Sequence, residues 1–484
     1  MASNLDNPPE VSFGLSLLPV IILVAILAAD VYFFKDNSSY GPNQIALLFA
    51  ALIAGGIGMW KGVKWGFISN NIASSIGSST EAILILLLIG ALAGTWLMAG
   101  IIPAFIHYGL MILSPKIFLF AACVICAILS LATGSSWGTI GTVGVAFIGI
   151  GTALGLETGW VAGAIISGAY FGDKMSPLSD TTNLAPAVAG TDLVTHIKYM
   201  TITTLPSIAI ALIVFLVVGF FGNNSAVEST ISEGFSEAVN SLFNIHLGLF
   251  IAPVAVIVLI AKKMPAAPAL FIGVLLGALT AVIFQPRAIL SLTSSADEFS
   301  YLGSAFIATM TSMSMKTEYV TESDLANSLF TAGGMAGMMN TVWLIICAMT
   351  FGAVMQATGM LKRITEEIIK GVNSSLGLIT RTVGTCLAFN ILASDQYIAI
   401  VVPGNMFKEP FEDQNLAPEN LSRTLEDAGT VTSVLIPWNT CGVAQSGILG
   451  VAVLAYAPYC IFNWISPIMT IIIASLGYKL KRLD

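Results

Sequence analysis

Apolar runs close to 20 residues long recur along almost the whole chain, at 13–34, 44–60, 82–98, 117–132, 137–156, 203–221, 246–261, 266–284, 341–357 and 461–478. A helix of about that length crosses roughly 30 Å of hydrocarbon, so a chain that repeats it this often folds in a bilayer. Composition agrees: 56% of residues are hydrophobic and 10% charged, against roughly 25% charged in an average soluble domain. The expected fold class is an all-α polytopic membrane protein. The first ten residues, MASNLDNPPE, hold no Lys or Arg, so they lack the basic start of a secretory signal peptide. The first run is therefore expected to remain as a span.

Orientation follows from the basic residues. Lys61 and Lys64 follow the second run, Lys262 and Lys263 separate two later ones, and Lys362, Arg363 and Lys370 cluster after another, whereas 222–245 carries three acids and no base. The positive-inside rule puts the basic groups in the cytoplasm and the acidic segment outside. The organisation expected is a cytoplasmic tail 1–12, a first transmembrane unit 13–221, an external polar linker 222–245, a second unit 246–478 with an insert at about 285–338, and a cytoplasmic tail 479–484.

The two units read as repeats. IGALAGTW, SLATGSSWG and SPLSDTTN follow one another in the first, and AMTFGAV, FNILASDQY and VLIPWNTC in the second. Pairing Gly94 with Gly352, Ser135 with Ser394 and Thr182 with Thr440 gives offsets of 258, 259 and 258. A unit that starts inside and ends outside crosses an odd number of times, so its copy is inverted, as in many secondary transporters. Residues 117–156 and 375–403 each read as two apolar pieces joined by a polar turn, TGSS or ASD. Arg381 and Lys408 flank the second, which marks it as a re-entrant hairpin from the cytoplasm; its partner enters from outside. Segments 172–186 and 429–446 read as breaks in helices that do cross. Each repeat then has about five crossings and one hairpin, with the broken helices at the centre. Unwound backbone at membrane depth survives only against protein or a water-filled cavity, so these breaks are expected to meet at one site.

The stretch GDKMSPLSDTTNLAP supplies the chemistry. Asp180 stands among Ser179, Thr181, Thr182 and Asn183, a set of hard oxygens with one negative charge, which suits Na+ or a proton in its place. A carboxylate at a helix centre costs roughly 2.5–3.5 kcal/mol to insert. Asp395 is the corresponding acid of the second repeat. Ser135, Ser136 and Ser394 at the hairpin turns, with Asn439 and Thr440 at the second break, complete the expected cation and proton ligands. Asp173 and Lys174 read equally well as a solvated edge or as gating or substrate groups. Asp192 reads as an N-cap, His196 and Lys198 as surface residues, and Glu426 and Asp427 as the cytoplasmic start of a helix, where acids suit the dipole. Cys123 and Cys126 form a C-x-x-C inside an apolar helix and read as packing. Nothing indicates a cofactor, a nucleic-acid partner or an enzyme; Na+ is expected as the transported or coupling ion.

GDKMSPLSDTTNLAPAVAGTDLVTHI resembles the signature of NhaC-type sodium:proton antiporters, and the likeness extends through TGSSWGTIGT and VLIPWNTCG to most of the chain. The resemblance implies a multi-pass secondary transporter of the bacterial inner membrane, with paired hairpins and cation coordination at broken helices. The leading expectation is exchange of Na+ for H+ by alternating access. Because the signature is shared with exchangers of organic solutes, the alternative is Na+- or H+-coupled transport of a small organic acid, of the malate and lactate type, or of an amino acid. Expected partners are Na+, H+, the lipid bilayer and a second copy of the chain as a homodimer.

Overall fold

Backbone amides find no partner in hydrocarbon, so each apolar run closes its hydrogen bonds on itself as a helix. The computed structural model describes residues 11–34, 38, 40–221, 237–293, 300–369 and 374–483; the tail 1–10 and most of the expected linker, 222–236, lie outside them. Among the described residues nine helices have 18 or more residues and are apolar enough to cross a membrane, and Thr440–Leu449 with Val453–Tyr459, bent by 86°, makes a tenth if taken as one span. Two expected boundaries move. The run read as 203–221 is one helix from Leu193 to Phe221, and the insert contributes a helix, Tyr301–Ser314, and a two-residue strand pair, Thr317–Glu318 with Thr331–Ala332.

Hairpin one consists of Pro115–Thr133 and Ser136–Ala153. Gly134 adopts φ 70°, a left-handed value that a side chain rarely allows, and Ser135 caps the returning arm by accepting the Gly138 N–H at 3.0 Å. The helix Thr158–Met175 lies parallel to the first arm: Gly168 packs on the Cys123 carbonyl, Gly172 on that of Ala127, and the Ser130 hydroxyl donates to the Ala169 carbonyl at 2.6 Å. Since 158 and 115 thus begin on the same face, the arm between them has returned to it.

Hairpin two, Ser375–Leu392 and Gln396–Asp413, extends ten residues beyond the expected 403. Its turn repeats the device: Ser394 takes φ 59° where hairpin one has Gly134, and Asp395 accepts the N–H groups of Tyr397 (2.9 Å) and Ile398 (3.1 Å). The hairpins open toward opposite faces. Gly219, near the end of Leu193–Phe221, packs on the Lys116 carbonyl at the mouth of hairpin one, whereas the C-terminal segment seals the mouth of hairpin two through the Leu416–Arg482 bridge and Ala417 N–H to the Lys481 carbonyl.

Element boundaries recur 260 residues apart: N-caps Ser114 and Ser374, turn residues Gly134 and Ser394, caps Ser135 and Asp395, caps Ser179 and Asn439, and helix-ending Gly190 and Gly450. The pairings of Ser135 with Ser394 and of Thr182 with Thr440 are thus off by one and two residues. The 260-residue spacing follows backbone roles, whereas those pairings matched like residue types.

Candidate functional site

The sequence breaks Thr158–Met175 at Ser176-Pro177, because a residue before proline is driven out of helical geometry; the helix resumes at Asp180–Ala189. The hydroxyl and amide residues expected as ligands largely satisfy this break. Thr182 Oγ1 donates to the carbonyls of Asp173 (3.2 Å) and Lys174 (3.0 Å), Asn183 Nδ2 to those of Pro177 (3.0 Å) and Ser179 (2.6 Å), and the Ser179 hydroxyl caps the new helix by accepting the Thr182 N–H, with the Thr181 hydroxyl 3.2 Å away. The carbonyls of Asp173 and Ser179 also accept the N–H groups of Ser176 (3.0 Å) and Asn183 (3.2 Å), whereas those of Lys174 and Pro177 have lost their helical partners, and leaving them buried without a donor costs about 1–3 kcal/mol each.

The second broken helix runs from Pro418 through a π turn, Glu426–Thr430, unwinds before Asn439, and resumes at Thr440–Leu449. Asn439 caps it by accepting the Cys441 N–H at 3.0 Å and donates to the Asn390 carbonyl at 3.1 Å. Asn390 in turn donates to the Gly429 carbonyl at 2.7 Å. Hairpin two and the second break are thereby locked together, as the Ser394 carbonyl accepting the Thr440 N–H (2.9 Å) also shows.

Between the hairpin turns and the breaks lies a cavity of about 560 Å³. Ser135, Ser136, Asp173, Asp180, Asp395 and Thr440 line it, so six expected residues meet there. Ser179, Thr181, Thr182, Asn183, Ser394 and Asn439 do not line it; they hold the frame. Asp173 and Asp395 are both buried, but only Asp173 has an oxygen to spare: its Oδ2 accepts the Ser136 hydroxyl at 2.7 Å and the Ser136 N–H at 3.2 Å, while its Oδ1, among the described residues, accepts nothing. Asp180 is exposed to the cavity with both oxygens engaged, Oδ1 by its neighbour Thr181 N–H (2.8 Å) and Oδ2 by the Tyr397 hydroxyl (2.5 Å). Thr440 Oγ1 stands 3.5 Å from Asp395 Oδ2. Glu81 adds a further acid to the wall and Lys263 a single base. The acids do not converge on one point: among the described residues, no group of three His, Cys, Asp or Glu is arranged to hold a metal ion.

Three readings need correction. Lys174 is no solvated edge: it is fully buried, ion-paired with Asp427 and 3.1 Å from Ser466 Oγ. Glu426 and Asp427 sit fully buried in the π turn, and Asp427 also accepts the hydroxyls of Ser466 (2.7 Å), Thr203 (2.8 Å) and Thr470 (2.5 Å). His196 is buried, with Nδ1 2.8 Å from Ser422 Oγ. Asp192 does cap its helix, accepting the Thr195 N–H at 2.9 Å; hydrogen bonds from the side chain and N–H of Thr195 hold its carboxyl below the usual range. The six cysteines, Cys123 and Cys126 among them, are free and buried.

The profile of the Na+/H+ antiporter family matches residues 168–478, which include both helix breaks. The chain belongs to this family. It is similar to the Na(+)/H(+) antiporter NhaC of Alkalihalophilus pseudofirmus, 35% identical over 97% of this chain and 96% of that one. It is also 36% identical to the malate-2H(+)/Na(+)-lactate antiporter of Bacillus subtilis, over 96% and 95% of the two chains, and 33% identical to the arginine/ornithine antiporter ArcD of Halobacterium salinarum, over 99% and 95%. Reading for polar interruptions missed Tyr397, Asn390 and the ion pair in this antiporter fold. The signal for the pair was present, since Lys174 and Asp427 are charges inside otherwise apolar segments, where an ionisable group is functional or paired by default.

Proposed function

We propose that the chain exchanges Na+ for H+ by alternating access, with the cavity between hairpins and broken helices as its site. One observation carries this reading: the buried Oδ1 of Asp173 is unpartnered and borders a cavity walled by Asp180, Asp395 and Glu81 with Lys263 as its one base. An uncompensated buried charge is costly, so that carboxyl group holds either a proton or a cation, and the two compete for the same oxygens. Ser136 fixes the carboxyl, and the hydroxyls of Ser135 and Thr440 supply neutral oxygens. Family membership supports the same reading, and no catalytic role is assigned to any residue.

The halves 13–221 and 246–478 act as inverted repeats, supported by the opposite openings of the hairpins and the 260-residue recurrence. The face carrying Lys408 and Lys479–Arg482 is cytoplasmic under the positive-inside rule, which places the mouth of hairpin one outside and both termini inside, in a bacterial inner membrane. One observation favours the alternative of a small organic acid or amino acid: about 560 Å³ is far more room than a bare ion fills. A carboxylate substrate, however, would face several acids and one lysine. Flux in proteoliposomes settles the matter. Na+ alone should drive proton movement, and a requirement for malate, lactate or an amino acid on either side would overturn the leading reading.

A further inference from the structure

The two carboxyl groups of the π turn are neighbours in sequence and opposites in environment. Asp427 accepts four donors, the Lys174 ammonium and the hydroxyls of Ser466, Thr203 and Thr470. Four donors saturate its oxygens and favour its charged form. Glu426 is equally buried, yet among the described residues neither of its oxygens accepts a hydrogen bond. A carboxyl group without partners in a low-dielectric interior binds a proton rather than stand as an isolated charge.

The charges that act on Glu426 are Lys174 and Asp173, from the first broken helix, and its neighbour Asp427. Arg423, one turn earlier, is fully buried with its guanidinium 4.7 Å over the Tyr199 ring. Of the other elements packed against the turn, Ile461–Ser475 brings the hydroxyls of Ser466 and Thr470, and Ser375–Leu392 brings Arg381, which donates to the Ile368 carbonyl. Gln396–Asp413 places Lys408 against Gly190 and carries Glu409, Glu412 and Asp413 in its last turns, Asp180–Ala189 brings Asp180, and His196 of Leu193–Phe221 faces Ser422. The link to the cavity therefore runs through consecutive residues, with Asp173 turned into the cavity and Lys174 turned back to the π turn.

We infer that Glu426 carries a transported proton, and that it senses Na+ at the Asp173 site without being a ligand to it. This rests on the exchange proposed above. A Na+ ion beside Asp173 adds positive charge next to the Lys174–Glu426 group and favours ionisation of Glu426. The carboxyl O–H bond breaks, the electron pair stays on Glu426 and the proton passes to water. Departure of Na+ reverses the step. Coupling of this kind is reciprocal: whatever factor Na+ applies to the proton, the proton applies to Na+.

The test is calorimetry of Na+ binding to the purified full-length protein across a pH series, in buffers of different ionisation enthalpy, which counts protons released per Na+. Glu426→Gln should release up to one proton fewer and match wild-type Na+ affinity at low pH. At high pH, where wild-type Glu426 is ionised, it should bind Na+ about 5- to 150-fold more weakly. Glu426→Asp should keep the wild-type proton count. A Glu426→Gln protein that binds Na+ with the full proton count overturns the inference. If neither variant folds, Na+-induced infrared difference spectra of wild type carrying 13C at its glutamate carboxyls decide it: loss of an isotope-shifted protonated carboxyl band supports Glu426, and no such loss overturns it. A wild type that releases no proton on binding Na+ would instead sink the exchange reading itself.

Discussion

Asp173→Asn removes the charge the site depends on while keeping its hydrogen bonds. The asparagine oxygen can accept the Ser136 hydroxyl and N–H that Oδ2 accepts at 2.7 and 3.2 Å, and the amide nitrogen then replaces the unpartnered Oδ1. Fold and insertion should survive. Interactions with a charged partner are worth about 1.5–3 kcal/mol, and 1.4 kcal/mol is tenfold, so Na+ binding should weaken roughly 10- to 150-fold at alkaline pH, where wild-type Asp173 is ionised, and by less as the pH falls. The pH dependence should change too. In wild type a competing proton raises the apparent Kd for Na+ up to tenfold for each unit that pH falls, because protonation of Asp173 removes the ligand; the variant should lose one such unit of slope. Asp180→Asn should cost less, near fivefold by an exposed-pair value of about 1 kcal/mol, since water screens Asp180 and both its oxygens are engaged. Radioactive Na+ binding to purified protein between mildly acidic and alkaline pH measures all three proteins. A Kd for Asp173→Asn within threefold of wild type, with the same slope, would remove Asp173 from the site.

Gly134→Ala and Gly450→Ala both place a Cβ at left-handed φ, 70° and 67°, but only the first meets neighbours, with Leu178 backbone at 2.6 Å. Thermal unfolding should show a loss of about 1–2 kcal/mol at Gly450 from backbone strain and a clearly larger one, with lost transport, at Gly134; equal losses would mean that the hairpin turn does not press on the break. Lys174→Met should lower stability by about 3–5 kcal/mol by stranding Asp427, and Lys174→Met with Asp427→Leu should recover much of it, as read by folded yield and unfolding temperature. If the double variant is no better than the single, the two residues are not a buried pair. The native cysteines are all buried, so Asn240→Cys should be labelled from outside by an impermeant thiol reagent and Lys262→Cys should not. Labelling of both from one side would break the topology.

The spans were legible in the sequence because a 20-residue apolar run has few other uses, and the breaks because Pro177, Pro437 and clustered hydroxyls have no place in an uninterrupted membrane helix. The roles inside the breaks were not. A threonine reads the same whether it faces a cavity or donates to a carbonyl one turn away, so Thr182, Asn183 and Asn439 looked like ligands although they occupy orphaned backbone groups or caps. Asp180 drew attention for its polar neighbours, yet those neighbours hold the frame of the break rather than line the cavity, and the buried acid with an unpartnered oxygen is Asp173, seven residues earlier. Lys174 and Asp427 are 253 residues apart, and only the crossing of the broken helices brings them together.

At the 260-residue spacing the backbone roles match and the charges do not. Asp180 corresponds to Thr440, Asp173 to Ser433, Lys174 to Val434, Ser135 to Asp395, Ile166 to Glu426 and Ser167 to Asp427. Each pair has one charged and one neutral member. Asp173 therefore has no acidic counterpart at this spacing, and the first half alone contributes an acid at that position. Under the inverted-repeat arrangement proposed above, a frame with matching hairpins and breaks would let either half take the other's position as the cavity changes sides, as alternating access requires. The ion pair joins the two: Lys174 comes from the first broken helix and Asp427 from the second, so a buried bond between charges ties them together, and removing either partner strands the other in the core.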